Sequence, residues 1–162
     1  MFLARFLGIY VIGNILYGLW IVSYDQVADP FTQIVTTNSS WILKTIGYEA
    51  SIMLNDFAPS VALQMEGSTV VNVYEGCNAI NVSILFVAFL FAYKGTIKRT
   101  LTYSFVGLLF IYWFNLFRVA GLFLIAKFWP DQLYLMHKFV FTGVIYAFVF
   151  LLWYIWVKKF AK

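Results

Sequence analysis

The chain has 162 residues, of which 63% are hydrophobic and only 11% are charged. A soluble domain is about half apolar and a quarter charged, so this composition excludes an ordinary soluble fold and indicates that lipid is part of the solvent. A single cysteine and a single histidine exclude an intrachain disulfide framework and a Cys-rich metal site, and the net charge of +4 matters through its placement along the chain.

Four stretches approach the roughly 20 apolar residues that a helix needs to cross a bilayer. They are residues 2–22, 77–93, 101–126 and 137–157. The first could be a cleaved signal peptide, but its apolar core is long and aromatic and no A-x-A-like site follows it, which favours a retained anchor. We therefore predict an all-α integral membrane protein, a single membrane domain with four transmembrane helices.

Basic residues predict the orientation of these spans, because cytoplasmic loops carry an excess of Lys and Arg. With a cytoplasmic N-terminus, three basic clusters lie inside: Arg5; Lys94, Lys98 and Arg99; Lys158, Lys159 and Lys162. All seven acidic residues then lie outside: Asp25, Asp29, Glu49, Asp56, Glu66, Glu75 and Asp131. We therefore expect both termini in the cytoplasm.

Residues 23–75 form a small extracytoplasmic insertion between the first and second spans. Asp29-Pro30 is typical of a helix start, and the segment that follows predicts an amphipathic helix resting on the membrane surface or on the spans. The apolar side expected of this helix comprises Phe31, Ile34, Val35, Trp41, Ile42 and Thr45. Farther on, alternating apolar residues in SVALQMEGSTVVNVYEG predict a β-hairpin that turns at Glu66-Gly67-Ser68.

Three residues with reactive or charged side chains occur at similar predicted depths. Cys77, the only cysteine, opens the second span, and His137, the only histidine, opens the fourth. Arg118 lies inside the third span, roughly 25 Å from its inner end at 1.5 Å per residue. Neighbouring antiparallel helices would allow the three side chains to meet near the extracytoplasmic side.

Each of these residues also has a structural interpretation. A lone cysteine in a membrane helix is usually a small buried side chain, and an interfacial histidine is often part of the amphipathic belt. Arg118 could extend to the headgroups, although placing an arginine at mid-helix costs about 2.5–3.5 kcal/mol, which favours pairing or a function. Asn115 lies one turn from Arg118 and Asn81 one turn from Cys77, and both amides are expected to hydrogen-bond between helices.

A thiol, a guanidinium and an imidazole in one pocket fit acyl transfer. The Cys77 thiolate would attack a carbonyl to form a thioester, with Arg118 holding the oxyanion. His137 would protonate the leaving amine and then deprotonate the incoming nucleophile. Glu75 could orient His137, although an acid before a helix more often only interacts with the helix dipole. Asn78, next to the cysteine, is a further accessory candidate.

Three sequence blocks containing these residues resemble a known family. The blocks YEGCNAINVSILFVAF, NLFRVAGLFLIA and HKFVFTGVIYAFVF resemble those of the exosortase and archaeosortase family, most closely the short F-type exosortases. The family's Cys, Arg, His set falls on Cys77, Arg118 and His137. The resemblance covers residues 70–157 well and the N-terminal half loosely. The family often has glycine two places after the cysteine, where this chain has Ala79, which still permits close packing.

The resemblance implies a cysteine transpeptidase or protease of the bacterial cytoplasmic (inner) membrane, with no cofactor and with its active site on the extracytoplasmic side. Such enzymes cleave a C-terminal sorting signal and transfer the new C-terminus to a surface acceptor. The implied partners are exported proteins with that hydrophobic signal. We also expect contact with membrane lipid and none with nucleic acid, and an accessory membrane subunit could help to enclose the site. The hairpin and the surface helix of residues 23–75 could hold the substrate's extended motif as an added strand.

A second interpretation comes from a different functional class. The chain could be a non-catalytic membrane subunit in which Arg118 binds a lipid phosphate or a partner helix and Cys77 only packs. A Cys77→Ser substitution separates the two, because it would abolish substrate processing only in the enzyme. A transporter is poorly supported, since the sequence shows no inverted repeat and no span broken by Gly or Pro.

Overall fold

The computed structural model describes residues 1–25, 27–55 and 57–160. The N-terminal half consists of helix α1 (Phe2–Val22), helix α2 (Pro30–Thr45) and strands β1 (Ala50–Leu54), β2 (Ser60–Met65) and β3 (Ser68–Tyr74). A 3-10 turn, Glu75–Cys77, then leads into helices α3 (Ile80–Ala92) and α4 (Ile97–Phe128). Asp56 and Lys162, two of the charges used to predict the orientation, lie outside the described residues.

The C-terminal helical run, Pro130–Phe160, changes its helical type several times. It begins with a 3-10 turn (Pro130–Gln132) and one short helix, α5 (Leu133–Leu135). A π-helical turn (Met136–Val140) follows, then the long helix α6 (Phe141–Ile155) and a second π-helical turn (Trp156–Phe160). The fourth predicted span began at His137, so the helical structure starts about two turns earlier than expected.

Within the described residues, three helical stretches are long and apolar enough to cross a bilayer: Phe2–Val22, Ile97–Phe128 and Pro130–Phe160. They correspond to the first, third and fourth predicted spans. Helix α3, the regular part of the second predicted span, has 13 residues. At 1.5 Å per residue it is about 20 Å long, less than the roughly 30 Å of a bilayer's hydrocarbon core. A fourth span therefore stays a prediction.

Helix α2 starts where the sequence predicted. Asp29 is the N-cap, its side chain accepts a hydrogen bond of 2.9 Å from the backbone N–H of Thr32, and Pro30 occupies the first helical position. The apolar side predicted for this helix was partly wrong, because Ile34, Trp41 and Thr45 are exposed. The side that packs inward combines three apolar residues with small hydroxyl residues: Thr32, Val35, Thr36, Ser39, Ser40, Ile42 and Leu43.

Hydroxyl side chains explain this inward face. Thr36 Oγ1 donates to the Thr32 carbonyl at 2.7 Å, and Ser39 Oγ donates to the Val35 carbonyl at 2.8 Å. Side chains that bond back to their own helix can be buried without an external partner, and their small size lets α2 approach its neighbours closely. Ser40 Oγ also donates to the Ala50 carbonyl, which attaches β1 to the helix.

The insertion contains a three-stranded antiparallel sheet in the order β1-β2-β3. The predicted hairpin corresponds to β2 and β3, which turn at Glu66 and Gly67, and both residues have positive φ, as a two-residue hairpin turn requires. Strand β1 was not predicted. Its segment, ASIML, shows no alternation of apolar and polar residues, and its pairing with β2 is a tertiary contact.

Two buried clusters hold these elements together. The first lies between α2, the sheet and α4, and includes Val35, Leu63 and Phe123. The second lies between α3, α4 and α6, and is centred on the fully buried Phe86 and Trp156. The connection from β3 to α3 passes from the first cluster to the second, so the segment around Cys77 is fixed on both sides by packed side chains.

Candidate active site

Cys77 is positioned by the tight connection between β3 and α3. The 3-10 turn closes with a hydrogen bond from the Asn78 backbone N–H to the Glu75 carbonyl at 3.3 Å. The side chain of Asn78 then accepts from the backbone N–H of Ile80 at 2.9 Å, which satisfies a free donor at the start of α3. Between them Ala79 adopts the left-handed conformation, with φ of 63° and ψ of 13°.

Ala79 stands where the resembled family often has glycine, and its backbone conformation suggests why. From the sequence, glycine or alanine was expected there for close packing. In the structure its main requirement is a positive φ, which glycine adopts freely and alanine adopts at a cost of about 1–2 kcal/mol. Ala79 therefore sits in a strained conformation two residues after the cysteine.

The structure brings Cys77 and His137 together. Cys77 Sγ lies 3.6 Å from His137 Nε2, within hydrogen-bonding reach for sulfur. Cys77 is half-buried and His137 is exposed, so the pair is accessible from one side. His137 lies in the π-helical turn Met136–Val140, and its carbonyl accepts a hydrogen bond of 2.9 Å from Thr142 Oγ1. Single π-helical turns frequently occur at functional sites because they redirect a side chain.

Asn115 connects Cys77 with Arg118. Asn115 Nδ2 donates to the Cys77 carbonyl at 2.8 Å, and its Oδ1 accepts from Arg118 Nη1 at 3.3 Å. Asn115 is fully buried and Arg118 is 7% exposed. Arg118 Nε has no hydrogen-bond partner among the described residues. This Nε is buried, and Arg118 is not among the residues that line the cavity beside Cys77, so Asn115 is the link between Arg118 and the cysteine turn.

A second polar network fixes the other side of the turn. Asn78, 2% exposed, donates from Nδ2 to the Tyr17 hydroxyl at 2.9 Å and to Thr32 Oγ1 at 3.2 Å. Thr32 Oγ1 in turn donates to Asp29, and the Tyr17 hydroxyl contacts the Glu75 carbonyl at 3.4 Å. Asn78 thus ties the cysteine-bearing turn to both α1 and α2.

Two of the predicted accessory residues lie away from the Cys77–His137 pair. Glu75 borders a separate cavity that it shares with acidic residues Asp25 and Asp29. No hydrogen bond joins Glu75 to His137 in the part of the chain that the structure describes, so the geometry does not support an orienting role. Asn81 is exposed, and no side-chain hydrogen bond to it is present among the described residues, whereas Asn115 does connect α4 with the cysteine turn.

A cavity of about 610 Å³ opens next to the Cys77–His137 pair. One wall is strand β3 from Thr69 to Tyr74, and the opposite wall is the start of the C-terminal helical run with Pro130, Leu133 and Tyr134. Val119 and Leu122 of α4 also line it. The lining is largely apolar but includes Thr69, Asn72 and two tyrosines besides the thiol and the imidazole. Such a cavity can hold an extended peptide or an acyl chain close to Sγ.

Sequence reasoning missed several of these residues. Asp29 and Thr32 carry the signal of a capped helix start, which predicts α2 but not that the cap also supports Asn78. Tyr17 and Tyr134 carry no local signal, since aromatic residues are common in membrane helices. Among the described residues, no group of three or more His, Cys, Asp or Glu side chains is placed to hold a metal ion.

Comparison with known proteins gives one match. The family model described as transmembrane exosortase (Exosortase_EpsH) matches residues 3–156. The match includes Cys77, Arg118 and His137 together with α1, α2 and the sheet. No curated protein and no solved structure matches the chain.

Proposed function

The chain belongs to the transmembrane exosortase family, and from that premise we propose that it is a cysteine transpeptidase that cleaves the C-terminal sorting signal of exported proteins. The acyl-enzyme would form on Cys77, and the new C-terminus would pass to a surface acceptor. The observation that carries the proposal is the 3.6 Å approach of Cys77 Sγ to His137 Nε2 at the border of a peptide-sized cavity.

Acylation starts when the proton of the Cys77 thiol passes to His137 Nε2, so that the sulfur attacks as a thiolate. Sγ of Cys77 attacks the scissile carbonyl carbon, a C–S bond forms, and the carbonyl electron pair moves onto oxygen. When the tetrahedral intermediate collapses, the carbonyl re-forms and the C–N bond breaks. His137 Nε2 gives its proton to the departing nitrogen, so the C-terminal apolar helix leaves as an amine and the exported protein stays on sulfur as a thioester.

Transfer reverses the roles of the same two residues. Neutral His137 accepts a proton from the incoming nucleophile while that nucleophile attacks the thioester carbonyl. The C–S bond breaks on collapse, and the pair returns to thiolate and imidazolium. Water in place of the acceptor gives hydrolysis by the same steps, so the protein acts as a protease whenever the acceptor is absent.

Arg118 supplies the positive charge that the oxyanion needs. Its guanidinium donates to Asn115, which also donates to the Cys77 carbonyl, so one side chain links the cation to the backbone of the nucleophile. Arginine remains protonated even at a poorly solvated site, and a preorganised charge of this kind is worth about 10²–10³-fold in rate. Arg118 does not line the cavity and its Nε is buried, so this role requires the guanidinium to turn towards Cys77 when the substrate binds.

The positive-inside pattern supports an extracytoplasmic active site in a bacterial inner-membrane protein with four spans and cytoplasmic termini. A substrate anchored by its own C-terminal helix would then present its cleavage site at the depth of Cys77. A membrane-impermeant maleimide applied to intact spheroplasts tests this placement on the only cysteine. Labelling from outside is expected; labelling only after the cells are lysed would contradict the orientation.

Lipid-headgroup binding by a non-catalytic subunit has weaker support. The 7% exposure of Arg118 limits contact with a lipid phosphate and with an oxyanion alike, so it does not separate the two interpretations. The Cys77–His137 contact does separate them, because only the catalytic proposal gives that contact a role.

A matched pair of substitutions tests the proposal. Cys77→Ser should leave the amount of membrane-inserted protein unchanged and abolish removal of the C-terminal signal from exported proteins of the same organism. Ser83→Ala, one turn into α3, is the control and should process them at the normal rate. Continued processing by Cys77→Ser would exclude the thioester mechanism.

A further inference from the structure

Strand β3 is the free edge of the sheet nearest to the cysteine. The strand order leaves β1 and β3 as the two edges, and only β3 continues directly into the turn that holds Cys77. Six consecutive residues, Thr69 to Tyr74, line the cavity beside Cys77 and His137. Successive side chains of a strand point to opposite faces, so a cavity bordered by consecutive residues runs along the strand's edge.

The register shows which backbone groups of β3 face this cavity. The Ser60 carbonyl accepts from the Asn55 N–H at 3.1 Å, so Ser60 directs its backbone groups towards β1. The direction alternates along a strand, so Val61 directs its groups towards Val73, its partner on β3. By the same alternation the N–H and C=O groups of Asn72 and Tyr74 point away from β2, towards the cavity.

We propose that this edge binds the substrate: the extended segment before the cleavage site adds to β3 as a fourth strand, parallel to it. The inference rests on the proposed function and names where and how that substrate is recognised. Strand β3 runs towards Cys77 and then into α3. A substrate that runs from its exported part into its own C-terminal membrane helix follows the same direction, so the two strands are parallel.

The cavity also determines side-chain preference in the bound segment. Val71 and Val73 pack on the first buried cluster, next to Val119 of α4. In a strand added to β3, every second side chain lies on that same face and meets Val119 and Leu122. Those positions should accept small or apolar residues, while the alternate positions face outward and tolerate polar residues. The register of β3 shifts at Val70, so beyond it, opposite Val71 to Tyr74, the recognition motif should show a period of two.

Disulfide mapping tests the docking without depending on catalysis. Cys77→Ala gives a chain without thiols, into which Thr69→Cys, Asn72→Cys or, on the opposite sheet edge, Ile52→Cys is introduced. The probe is a membrane-anchored reporter that carries the C-terminal segment of an exported protein processed by the wild-type chain, with single cysteines placed along its extended part. Neighbouring strands place Cα atoms about 5 Å apart, which suits a disulfide.

The expected pattern is specific. Thr69→Cys and Asn72→Cys should crosslink to the reporter, Ile52→Cys should not, and the Thr69 partner should lie N-terminal to the Asn72 partner, as a parallel strand requires. Crosslinks through Ile52→Cys, an antiparallel order, or no crosslink at either β3 position would each overturn the proposal. The last result is expected if a lipid acyl chain fills the cavity instead.

A proline pair gives an independent test in the active chain. Asn72→Pro removes the cavity-facing N–H of β3, and Ile52→Pro removes the outward N–H of β1, the opposite edge strand. Neither substitution removes a hydrogen bond to β2. Processing should fall about tenfold in Asn72→Pro and less than about twofold in Ile52→Pro. Equal processing rates in Asn72→Pro and Ile52→Pro would overturn strand addition. A wild-type chain that processes no exported protein would instead overturn the proposed function.

Discussion

Asn115 on α4 holds the main-chain carbonyl of Cys77 through a hydrogen bond of 2.8 Å. The same amide accepts from Arg118, so one fully buried side chain sets the distance between the nucleophile's backbone and the guanidinium. The bond between Asn115 and Arg118 is local, but the bond to the cysteine joins residues 38 positions apart. The site therefore depends on how α4 packs against the turn before α3.

Substitutions of Asn115 should separate its two contacts. Asn115→Leu removes both hydrogen bonds and leaves buried groups unpaired, which should lower the free energy of unfolding by about 1–3 kcal/mol and reduce processing strongly. Asn115→Asp keeps an acceptor for Arg118 but loses the donor to the Cys77 carbonyl. Thermal unfolding in detergent and the processing rate per folded molecule are the measurements. If Arg118 must be held for catalysis, Asn115→Asp will process faster than Asn115→Leu; equal rates would exclude that role.

His137 should matter for chemistry and not for folding. The side chain is exposed, so His137→Gln should change the free energy of unfolding by no more than about 0.5 kcal/mol. Loss of the general acid and base should slow processing by about 10²-fold or more. Lys138→Gln, the next residue of the same π-helical turn, is the control and should retain near-normal processing. A His137→Gln chain that remains fully active would show that the imidazole takes no part in the reaction.

Ala79→Gly should stabilise the protein. Glycine adopts the φ of 63° without the steric strain of a Cβ atom, and part of this gain is offset by the greater freedom of glycine in the unfolded chain. We expect a net gain of about 0.5–1 kcal/mol, measured as a higher unfolding temperature in detergent. An unfolding temperature below that of wild type would show that packing of the alanine methyl group, and not φ, decides this position.

Close packing between α3 and α4 depends on Gly107. A Cβ atom at this position would overlap the ring of Phe86, which is fully buried, so Gly107→Ala should destabilise the protein by about 1–3 kcal/mol. Gly143 on α6 has open space around the corresponding position, and Gly143→Ala is the control. The control should be neutral or slightly stabilising, since alanine is the better helix former. Equal stability of the two variants would contradict the packing described for the second buried cluster.

Several features of the fold and the site follow from local sequence patterns. Span-length apolar stretches predict α1, α4 and the C-terminal run, and the Asp29-Pro30 pair predicts the start of α2. Cys77 and His137 each open an apolar stretch, and this alone predicts that they lie at similar depths. Whether they touch depends on which helices are neighbours. In the structure Cys77 Sγ lies 3.6 Å from His137 Nε2.

Other features depend on contacts that no local pattern encodes. The 3-10 turn separates Glu75 from His137, although Glu75 is only two residues from the cysteine. Strand β1 forms because it pairs with the edge of β2. Close packing of hydroxyl residues determines which face of α2 lies inward. The support of Asn78 by Tyr17 and Thr32 joins residues 61 and 46 positions apart. Such long-range contacts are fixed by tertiary packing.

The central claim is that Cys77 carries a thioester to the substrate, and intact-protein mass spectrometry tests it most directly. The wild-type chain and Cys77→Ala are expressed together with the exported proteins of the same organism, and adducts are trapped by acid quenching. The wild-type chain should carry a polypeptide adduct on Cys77 that hydroxylamine removes, and Cys77→Ala should carry none. Active processing with no adduct on Cys77, or the same adduct in Cys77→Ala, would contradict the account.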